Sequence, residues 1–198
     1  MTFSPTYRAS LTREPFLFRE MRITAQELQT GADDAAIVER IVQQNLYQYP
    51  TERSLRGMAR ACLRRLHLLD GEAVRQIATA PAAIARQLCL YALMKDSRLV
   101  AEFFVQIVGG KYRQHDTNLA RADVSAFFLR LQEQNDQVAA WSDTTIGKLT
   151  SILMGLLVQN AYLENNKSTT LQPVTLAAPV RDAIERLGDT VLLPAFRA

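Results

Sequence analysis

The chain has 198 residues, of which 48% are hydrophobic and 22% are charged, and these proportions exclude an intrinsically disordered protein and allow a sizeable buried core. Its net charge of +3 is only mildly basic, which excludes a densely cationic tail of the kind that histones carry. Two cysteines, Cys62 and Cys89, lie in apolar patterns without a CxxC pair, so a structural zinc site is not expected and a reducing compartment is favoured.

The charge is distributed unevenly along the chain. Residues 1–122 hold 17 basic and 12 acidic groups, a net charge of +5, whereas residues 123–198 hold 6 and 8, a net charge of −2. A polyanionic partner would therefore be attracted mainly by the N-terminal two-thirds. The first 23 residues contain no apolar signal segment, and the uncharged run 149–163 is shorter than the ~20 residues that span a bilayer. We expect a soluble, cytoplasmic protein that does not contact a membrane.

The first half of the chain is predicted to be helical, because apolar residues recur at helical spacing between capping and stop signals. The first helix should run from about residue 12 to Gly31, a glycine that suits a C-terminal cap, and Asp33 or Asp34 should cap the second. The pair Gly109-Gly110 is expected to end the last helix of this half. The other predicted helices cover residues 51–69, 72–79, 81–94 and 99–108.

The polar segment 111–122 is the predicted boundary between two parts. The elements after it are, in order, helices over 123–134, 137–141 and 143–161, a β-hairpin over 162–176 and a final helix over 179–187. Ser142 or Asp143 should cap the long helix, and Pro173 confines the second strand to a sheet edge. Helices joined by a tight turn and followed by a hairpin are typical of winged helix-turn-helix domains. The predicted fold is mainly α, with a helical N-terminal part at 1–115 and a winged-helix-like C-terminal part at 116–198 that carries one small β-hairpin.

The helix predicted over 51–69 has an arginine-rich face. At 100° per residue, four arginines lie within roughly 80° of one another, opposite the apolar side: Arg53, Arg56, Arg60 and Arg64. Glu52 is the one acid of this helix, so the i,i+4 pairing that neutralises an ordinary surface helix is nearly missing. The hydrogen-bond donors of a guanidinium group match the geometry of phosphate oxygens. These four arginines, called the ladder below, are therefore a candidate surface for binding a nucleic-acid backbone. In the alternative interpretation, the arginines pair with acids of other helices, such as Glu20, Glu27 or Glu39.

A second candidate surface lies on the helix predicted over 143–161, whose side opposite the apolar stripe is small and polar and contains no arginine. Serine, threonine and lysine side chains can hydrogen-bond to base edges or phosphates. An ordinary exposed helix is the alternative. The two surfaces, with the lysine at the tip of the predicted hairpin, give the candidate DNA-binding residues: Arg53, Arg56, Arg60, Arg64, Arg65, Thr144, Thr145, Lys148, Ser151 and Lys167.

Catalytic residues at a recognisable spacing do not stand out, and we predict that the chain is not an enzyme. His115-Asp116 resembles a fragment of a metal-dependent phosphohydrolase motif, but His67, the one other histidine, lies on the arginine-rich face. Gly109-Gly110 lacks the remainder of any glycine-rich phosphate-binding loop. Neither a cofactor nor a metal ion is predicted.

Several segments resemble the BrxA family of the bacteriophage exclusion (BREX) defence systems. They are residues 6–12 (TYRASLT), 45–70 (NLYQYPTERSLRGMARACLRRLHLLD), 97–113 (SRLVAEFFVQIVGGKYR) and 123–157 (DVSAFFLRLQEQNDQVAAWSDTTIGKLTSILMGLL). The resemblance extends from about residue 6 to residue 193, and its most specific parts are the arginine-rich helix and the Trp-Ser-x-Thr-Thr block. In one departure, Ala161 precedes the apolar pair Tyr162-Leu163, where the family usually has glycine.

The resemblance implies a helical N-terminal part similar to the antitermination protein NusB, followed by a winged-helix-like C-terminal part. It also implies double-stranded DNA binding without catalysis, in a system that methylates host DNA and blocks phage replication. Other BREX proteins, such as a methyltransferase or an ATPase, are candidate partners. The alternative function is a protein-interaction adaptor that docks such partners without direct contact with DNA.

Overall fold

The computed structural model describes residues 6–197, and helices dominate this part of the chain. Besides α-helices it contains a 3-10 turn at Ser10–Thr12, a π-helical segment at Phe103–Val108 and a 3-10 helix at Thr190–Ala195. The prediction of a mainly α fold is confirmed. The α-helices of the described residues are α1 (Phe18–Leu28), α2 (Asp34–Gln43), α3 (Glu52–Leu66), α4 (Gly71–Thr79), α5 (Ala82–Asp96), α6 (Arg98–Glu102), α7 (Gly109–Gln114), α8 (Arg121–Gln134), α9 (Asp136–Ala139), α10 (Asp143–Gln159) and α11 (Ala178–Arg186).

Several helix ends follow the side-chain chemistry of the sequence. Gly31, just beyond α1, has a φ of 76°, a left-handed conformation that glycine adopts without steric strain. Side-chain oxygens accept hydrogen bonds from free backbone N–H groups at the starts of α2, α3 and α10, and the residues are Asp33, Thr51 and Ser142. The predicted caps at Asp33 and Ser142 are therefore confirmed, whereas α1 ends at Leu28 with Gln29 as its cap, two residues before Gly31.

Two predicted helix boundaries in the first half are wrong. The first helix begins at Phe18 rather than near residue 12, because Leu17 has a φ of 58° and cannot continue a right-handed helix. Gly109-Gly110 does not end a helix, since Gly109 has a φ of −64° and helical turns continue to Gln114. A Cβ atom at Gly109 would lie 2.4 Å from the carbonyl oxygen of Pro194. This glycine therefore permits a close backbone approach rather than a helix stop.

The predicted β-hairpin over 162–176 is also wrong. Within residues 6–197 the β-pairing is limited to two isolated bridges, Asn118 with Thr170 and Thr175 with Arg197. Two backbone hydrogen bonds of 2.7 Å join this segment to the residues before α8: Leu119 N–H to the Thr169 carbonyl and Leu171 N–H to the Thr117 carbonyl. Within the segment, the backbone bond of 2.8 Å from Gln172 N–H to the Tyr162 carbonyl is not extended into a strand pair, and Pro173 has no N–H for a second strand.

One apolar core extends across the predicted boundary between the two parts. It contains buried side chains from Tyr7 near the N-terminus to Phe196 near the C-terminus. At the boundary, the ring of Phe103 lies 5.6 Å from the ring of Phe127 in α8. A second, smaller core joins α2 to α3. The division into two parts, and their NusB-like and winged-helix-like character, stay predictions.

The uncharged run of the sequence forms most of α10, which has 17 residues. Leu149, Leu153 and Leu157 are fully buried on one side, whereas Lys148 and Ser151 on the other side are exposed. Among the helices in residues 6–197, none combines the length and the apolar composition that crossing a membrane requires.

Both cysteines are buried free thiols. Burial raises the pKa of Cys62 to about 12, and burial also raises the pKa of Cys89. The two thiols therefore stay protonated at neutral pH and act as small apolar side chains of the core.

Candidate nucleic-acid interface

Helix α3 separates an apolar side from an arginine-rich side, as its sequence predicts. Thr51 starts the helix by accepting a hydrogen bond of 3.3 Å from the N–H of Ser54. Leu55, Ala59 and Leu66 are buried and fix the rotation of the helix about its axis. The arginines of the opposite side do not share one environment, and they fall into a paired group and an unpaired group.

Arg56 and Arg64 form ion pairs with acids from other parts of the chain. The guanidinium of Arg56 lies 2.8 Å from the carboxylate of Glu39 in α2. Arg64 donates a hydrogen bond of 2.9 Å to Asp96 and also pairs with Glu14. The contact with Glu39 is one that the alternative interpretation of the ladder expected. Half of the four-arginine ladder is thus balanced by charges within the protein.

Arg65, a predicted DNA-binding residue, is buried, with 1% of its surface exposed. Its guanidinium donates hydrogen bonds to the carbonyls of Glu14 and Pro15, at 2.6 and 2.7 Å, and to Asp96 at 3.2 Å. Position 65 lies 100° around the helix from position 64, which turns its side chain from the exposed face into the protein. The assignment of Arg65 to the DNA surface is therefore wrong. Arg65 fixes the N-terminal segment against α3.

Arg53 and Arg60 are the unpaired arginines of α3. Both are exposed, and neither guanidinium makes an ion pair or a hydrogen bond with a residue of the described chain. Arg60 lines a groove of about 470 Å³ between α2 and α3, to which His67 also contributes. The His67 ring contacts the carboxylate of Asp34 at 2.9 Å, so it already has a partner within the protein. Arg53 and Arg60 are two turns apart, ~10 Å along the helix axis, and both are accessible to an external anion.

The exposed side of α10 presents the polar residues that the sequence predicts. Thr144, Lys148 and Ser151 are exposed, and Lys148 has no acidic partner in the part of the chain that the structure describes. Thr145 is half-buried, and its hydroxyl lies 3.0 Å from that of Ser142, so this side chain belongs to the helix cap. Three of the four predicted α10 residues thus remain accessible to a ligand.

Lys167 lies in the irregular loop that follows α10. Its N–H and that of Ser168 both donate to the side-chain oxygen of Asn165, at 2.9 and 3.1 Å, which fixes a local turn. The side chain of Lys167 is exposed in this turn. The lysine therefore lies in an irregular loop after α10, and not at the tip of the predicted hairpin.

Arg121, which the sequence analysis did not select, adds an arginine to the α10 surface. Its Nη2 donates a hydrogen bond of 3.1 Å to Oγ of Ser151, and both residues are exposed. The contact joins residues 30 positions apart, so the periodicity of α10 alone could not reveal it. The one local signal is that Arg121 is the first residue of α8, where a cation opposes the helix dipole.

The N-terminal segment connects α3 and α10. The turn Ser10–Thr12 packs against α10, and Leu11 of this turn is buried. Shortly after it, Glu14 pairs with Arg64 of α3 through its side chain and with Arg65 through its backbone carbonyl. The arginine-rich helix and α10 are therefore held in a fixed relation by one short stretch of backbone.

In the pair His115-Asp116, the acid is held by a neighbouring lysine. Lys111 donates a hydrogen bond of 2.8 Å to Asp116 and lowers the pKa of this carboxyl group. His115 follows α7 in a left-handed conformation with a φ of 55°. Residues 6–197 contain no group of three or more histidine, cysteine or acidic side chains arranged to hold a metal ion.

Similar proteins support one family. A family model described as BrxA matches residues 5–188 of the chain. The BREX protein BrxA of Bacillus cereus (strain H3081.97) is 29% identical over 194 residues, which are 98% of this chain and 97% of that protein. The BREX protein BrxA of Escherichia coli O9:H4 (strain HS) is 28% identical over 90% of this chain and 84% of that one. The crystal structure of an uncharacterized protein from Magnetospirillum magneticum has the same fold, with a TM-score of 0.83 and 20% identity over 98% of this chain and 99% of that one.

Proposed function

Since the chain belongs to the BrxA family, we propose that it is a non-catalytic component of a BREX anti-phage defence system and that it binds double-stranded DNA. Family membership carries the first part, because the relatives with 28 and 29% identity are named BREX proteins. A single observation carries the second part: exposed cations without acidic partners lie on α3 and α10, which the N-terminal segment holds together, and at the start of α8, which packs on α10. These cations are Arg53, Arg60, Arg121 and Lys148.

The four cations differ from those of an ordinary exposed helix because their positive charges are not balanced by nearby acids. An arginine that already contacts a carboxylate, as Arg56 contacts Glu39, adds little attraction for a polyanion. Arg121 is hydrogen-bonded to a hydroxyl group, so its positive charge stays unbalanced. Each such cation that contacts a phosphate releases condensed counterions. The logarithm of the binding constant then falls linearly with the logarithm of the salt concentration, and each contact contributes about 0.9 to the magnitude of this salt slope.

The two helices have different tasks in this proposal. Helix α10 faces a groove as part of a winged-helix-like arrangement, with Lys148 and Ser151 directed toward base edges or phosphates. A Cβ atom at Gly147 would meet no other atom within 4 Å, so this side of α10 can approach DNA closely. Helix α3 contacts the phosphate backbone through Arg53 and Arg60 and contributes affinity rather than sequence preference.

Fluorescence anisotropy of a labelled duplex, measured with the full chain at several salt concentrations, tests this function. The double variant Arg53→Ala/Arg60→Ala should reduce the magnitude of the salt slope by up to ~1.8. Its melting temperature should stay close to that of the wild type, because both side chains are exposed and unpaired.

A matched control is the double variant Arg40→Ala/Arg75→Ala, which removes the same charge from arginines paired with Glu27 and Glu72. The magnitude of its salt slope should change by less than ~0.9, the value of one phosphate contact. If Arg53→Ala/Arg60→Ala binds the duplex with the slope of the wild type, the arginine-rich face is not a DNA surface.

A protein-interaction adaptor is the second candidate function. The ion pairs of Arg56 with Glu39 and of Arg64 with Asp96 favour it, because they show that the ladder serves packing within the chain as well. An adaptor would bind a methyltransferase or ATPase of the same system through the unpaired cations. Its affinity for an unrelated duplex would not depend on them.

A further inference from the structure

A pocket of about 840 Å³ lies near the C-terminus, and none of the candidate DNA-binding residues lines it. Its walls are the end of α7, residues 171–173, α11 and the 3-10 helix Thr190–Ala195. The volume lies within the range of roughly 300 to 1,000 Å³ that small-molecule sites occupy. The pocket is therefore large enough for a ligand that is distinct from the duplex.

The lining of this pocket is cationic. Three arginines line it, and none of their guanidinium groups makes an ion pair or a hydrogen bond within residues 6–197: Arg113, Arg181 and Arg197. Lys111 also lines the pocket, but Asp116 and Asp123 hold its ammonium group at 2.8 and 3.2 Å. The four basic residues of the lining, together with the two carboxylates that hold Lys111, give a net charge of +2. Like charges gathered at one cavity repel one another, and a bound anion would remove that repulsion.

Most of the remaining wall is apolar, and its tyrosine ring is held in place by hydrogen bonds. It is formed by the ring of Tyr112 and by Leu171, Leu193, Pro194 and Phe196. The hydroxyl of Tyr112 donates a hydrogen bond of 2.6 Å to the carbonyl of Gln172 and accepts one of 3.2 Å from the N–H of Val174. A flat group attached to the anion would meet a surface whose orientation is already set.

The C-terminal side of the pocket is anchored before any ligand binds. The hydroxyl of Tyr162 donates a hydrogen bond of 3.0 Å to the carbonyl of Ala195, and the N–H of Arg197 donates one of 3.0 Å to the carbonyl of Val174. At the start of this segment, the ammonium of Lys95 lies 2.7 Å from the buried carboxylate of Asp189. Little conformational entropy would be lost on binding, because the backbone that carries Arg197 is already ordered.

We propose that this pocket binds a nucleotide, with a phosphate group at Arg113, Arg181 and Arg197 and the base or sugar against the apolar wall. The planar guanidinium fork forms paired hydrogen bonds with phosphate oxygens. A net charge of +2 exceeds what one carboxylate would balance, whereas a phosphate group carries up to about two charges at neutral pH. The nucleotide is either free in solution or the 5′-terminal nucleotide of a DNA strand. The site does not rest on the duplex contacts proposed for α3 and α10.

Isothermal titration calorimetry of the full chain with ADP, adenosine and inorganic phosphate tests the site. We expect saturable binding of ADP and at least tenfold weaker binding of adenosine, which lacks the anion. Arg181→Ala and Arg197→Ala should each weaken ADP binding about tenfold, because each removes hydrogen bonds to a charged group. The variant Arg53→Ala/Arg60→Ala is the matched control and should bind ADP like the wild type.

Single strands with and without a 5′-phosphate distinguish the two sources of the nucleotide. If Arg181→Ala/Arg197→Ala abolishes a preference for the phosphorylated strand and ADP does not bind, the pocket receives a strand end. If the double variant binds ADP as tightly as the wild type, the proposal is overturned. It is also overturned if neither ADP nor the phosphorylated strand binds at millimolar concentration. Thermal unfolding of the double variant checks that its fold is intact. Its duplex salt slope should equal that of the wild type, which separates this site from the proposed DNA surface.

Discussion

Arg121 Nη2 lies 3.1 Å from Ser151 Oγ, so the first residue of α8 places a guanidinium group on the exposed side of α10. Together with Lys148, it gives this surface two positive charges, although residues 123–198 have a net charge of −2. Phosphate contacts depend on charges within about 10 Å at moderate salt rather than on the sum over a whole segment. The acidic balance of the C-terminal part therefore does not argue against a DNA contact at this helix.

Arg121→Gln removes the charge of Arg121, and Ser151→Ala removes only its hydrogen-bond partner, so the two variants together separate the charge from the hydrogen bond. We expect Arg121→Gln to reduce the magnitude of the duplex salt slope by about 0.9, since one phosphate contact is lost. Ser151→Ala, the control, removes the hydrogen-bond acceptor without changing charge and should leave the slope nearly unaltered. Fluorescence anisotropy over a salt series measures both. A wild-type slope for Arg121→Gln would show that the contact with Ser151 only stabilises the packing of α8 on α10.

Local features of the fold could be predicted from the sequence because they depend on neighbouring residues. The caps at Asp33 and Ser142 follow from the chemistry of side chains that accept hydrogen bonds from a helix start. The apolar side of α3 follows from its helical period. These signals extend over a few residues, which is the range that a periodicity argument covers.

Features that depend on distant residues could not be predicted in the same way. Gly109 has the local appearance of a helix stop, and only its contact with Pro194 shows why a glycine is needed there. Arg65 differs from Arg64 by one position, yet the carbonyls of Glu14 and Pro15 make it an interior residue. Charge alone therefore indicated a candidate surface, but the acids and carbonyls brought together by folding decided which arginines remain free.

Two glycine substitutions should change stability in opposite directions. Gly109→Ala places a Cβ atom 2.4 Å from the carbonyl oxygen of Pro194, and relieving this clash should lower the free energy of unfolding by about 2 kcal/mol. Gly147→Ala, in the exposed part of α10, meets no atom within 4 Å and should raise it by up to ~1 kcal/mol through helix propensity. Urea unfolding measures both. An equal effect of the two substitutions would contradict the close approach at Gly109.

Ala161 adopts a conformation that glycine favours. Its φ is 62°, directly after α10, and an L-residue in this region is strained by about 1–2 kcal/mol. Ala161→Gly should relieve the strain, and part of the gain is lost to the greater flexibility of glycine in the unfolded chain. We expect a net stabilisation of up to ~1 kcal/mol, measured as a higher melting temperature. A lower melting temperature would show that Ala161 contributes packing that offsets its strain.

Asp96 should make stability depend on pH in the acidic range. Burial raises the pKa of this carboxyl group, but the hydrogen bonds and charges of Arg64 and Arg65 outweigh burial and bring the pKa below its ordinary value of 3.8. A depressed pKa in the folded state means that the carboxylate stabilises the fold above pH 3.8 and that this contribution is lost as the pH falls further.

The variant Asp96→Asn should therefore be less stable than the wild type at pH 7, by about 3 kcal/mol, because Arg65 loses its buried partner. The difference should stay constant down to about pH 5 and narrow below pH 4. Asp182→Asn, which removes an exposed carboxylate from α11, is the control and should change stability by less than ~0.5 kcal/mol. Urea unfolding at a series of pH values measures these differences, and a difference that stays the same at every pH would contradict the role given to Asp96.

Glu39 offers the sharpest distinction between the DNA-binding and adaptor functions. Its carboxylate lies 2.8 Å from the guanidinium of Arg56, and the hydrogen bond from Arg56 lowers the pKa of Glu39, so the acid is ionised at neutral pH. Glu39→Gln should remove a charge that repels phosphate and leave Arg56 with Glu52, at 3.8 Å, as its remaining acidic partner, so that Arg56 can join Arg53 and Arg60 in contacting DNA. Because the pair is near the surface, its loss should change stability by no more than ~1 kcal/mol.

If α3 contacts the DNA backbone, Glu39→Gln should bind an unrelated duplex more tightly than the wild type, with a salt slope steeper by up to ~0.9. Glu72→Gln is the matched control, since it frees Arg75 on α4, outside the candidate surface, and should leave the slope unchanged. Anisotropy titrations of both variants over the same salt series give the comparison. If Glu39→Gln binds the duplex no better than Glu72→Gln does, Arg56 serves to hold α3 against α2, and the adaptor function becomes the better account of the arginine-rich helix.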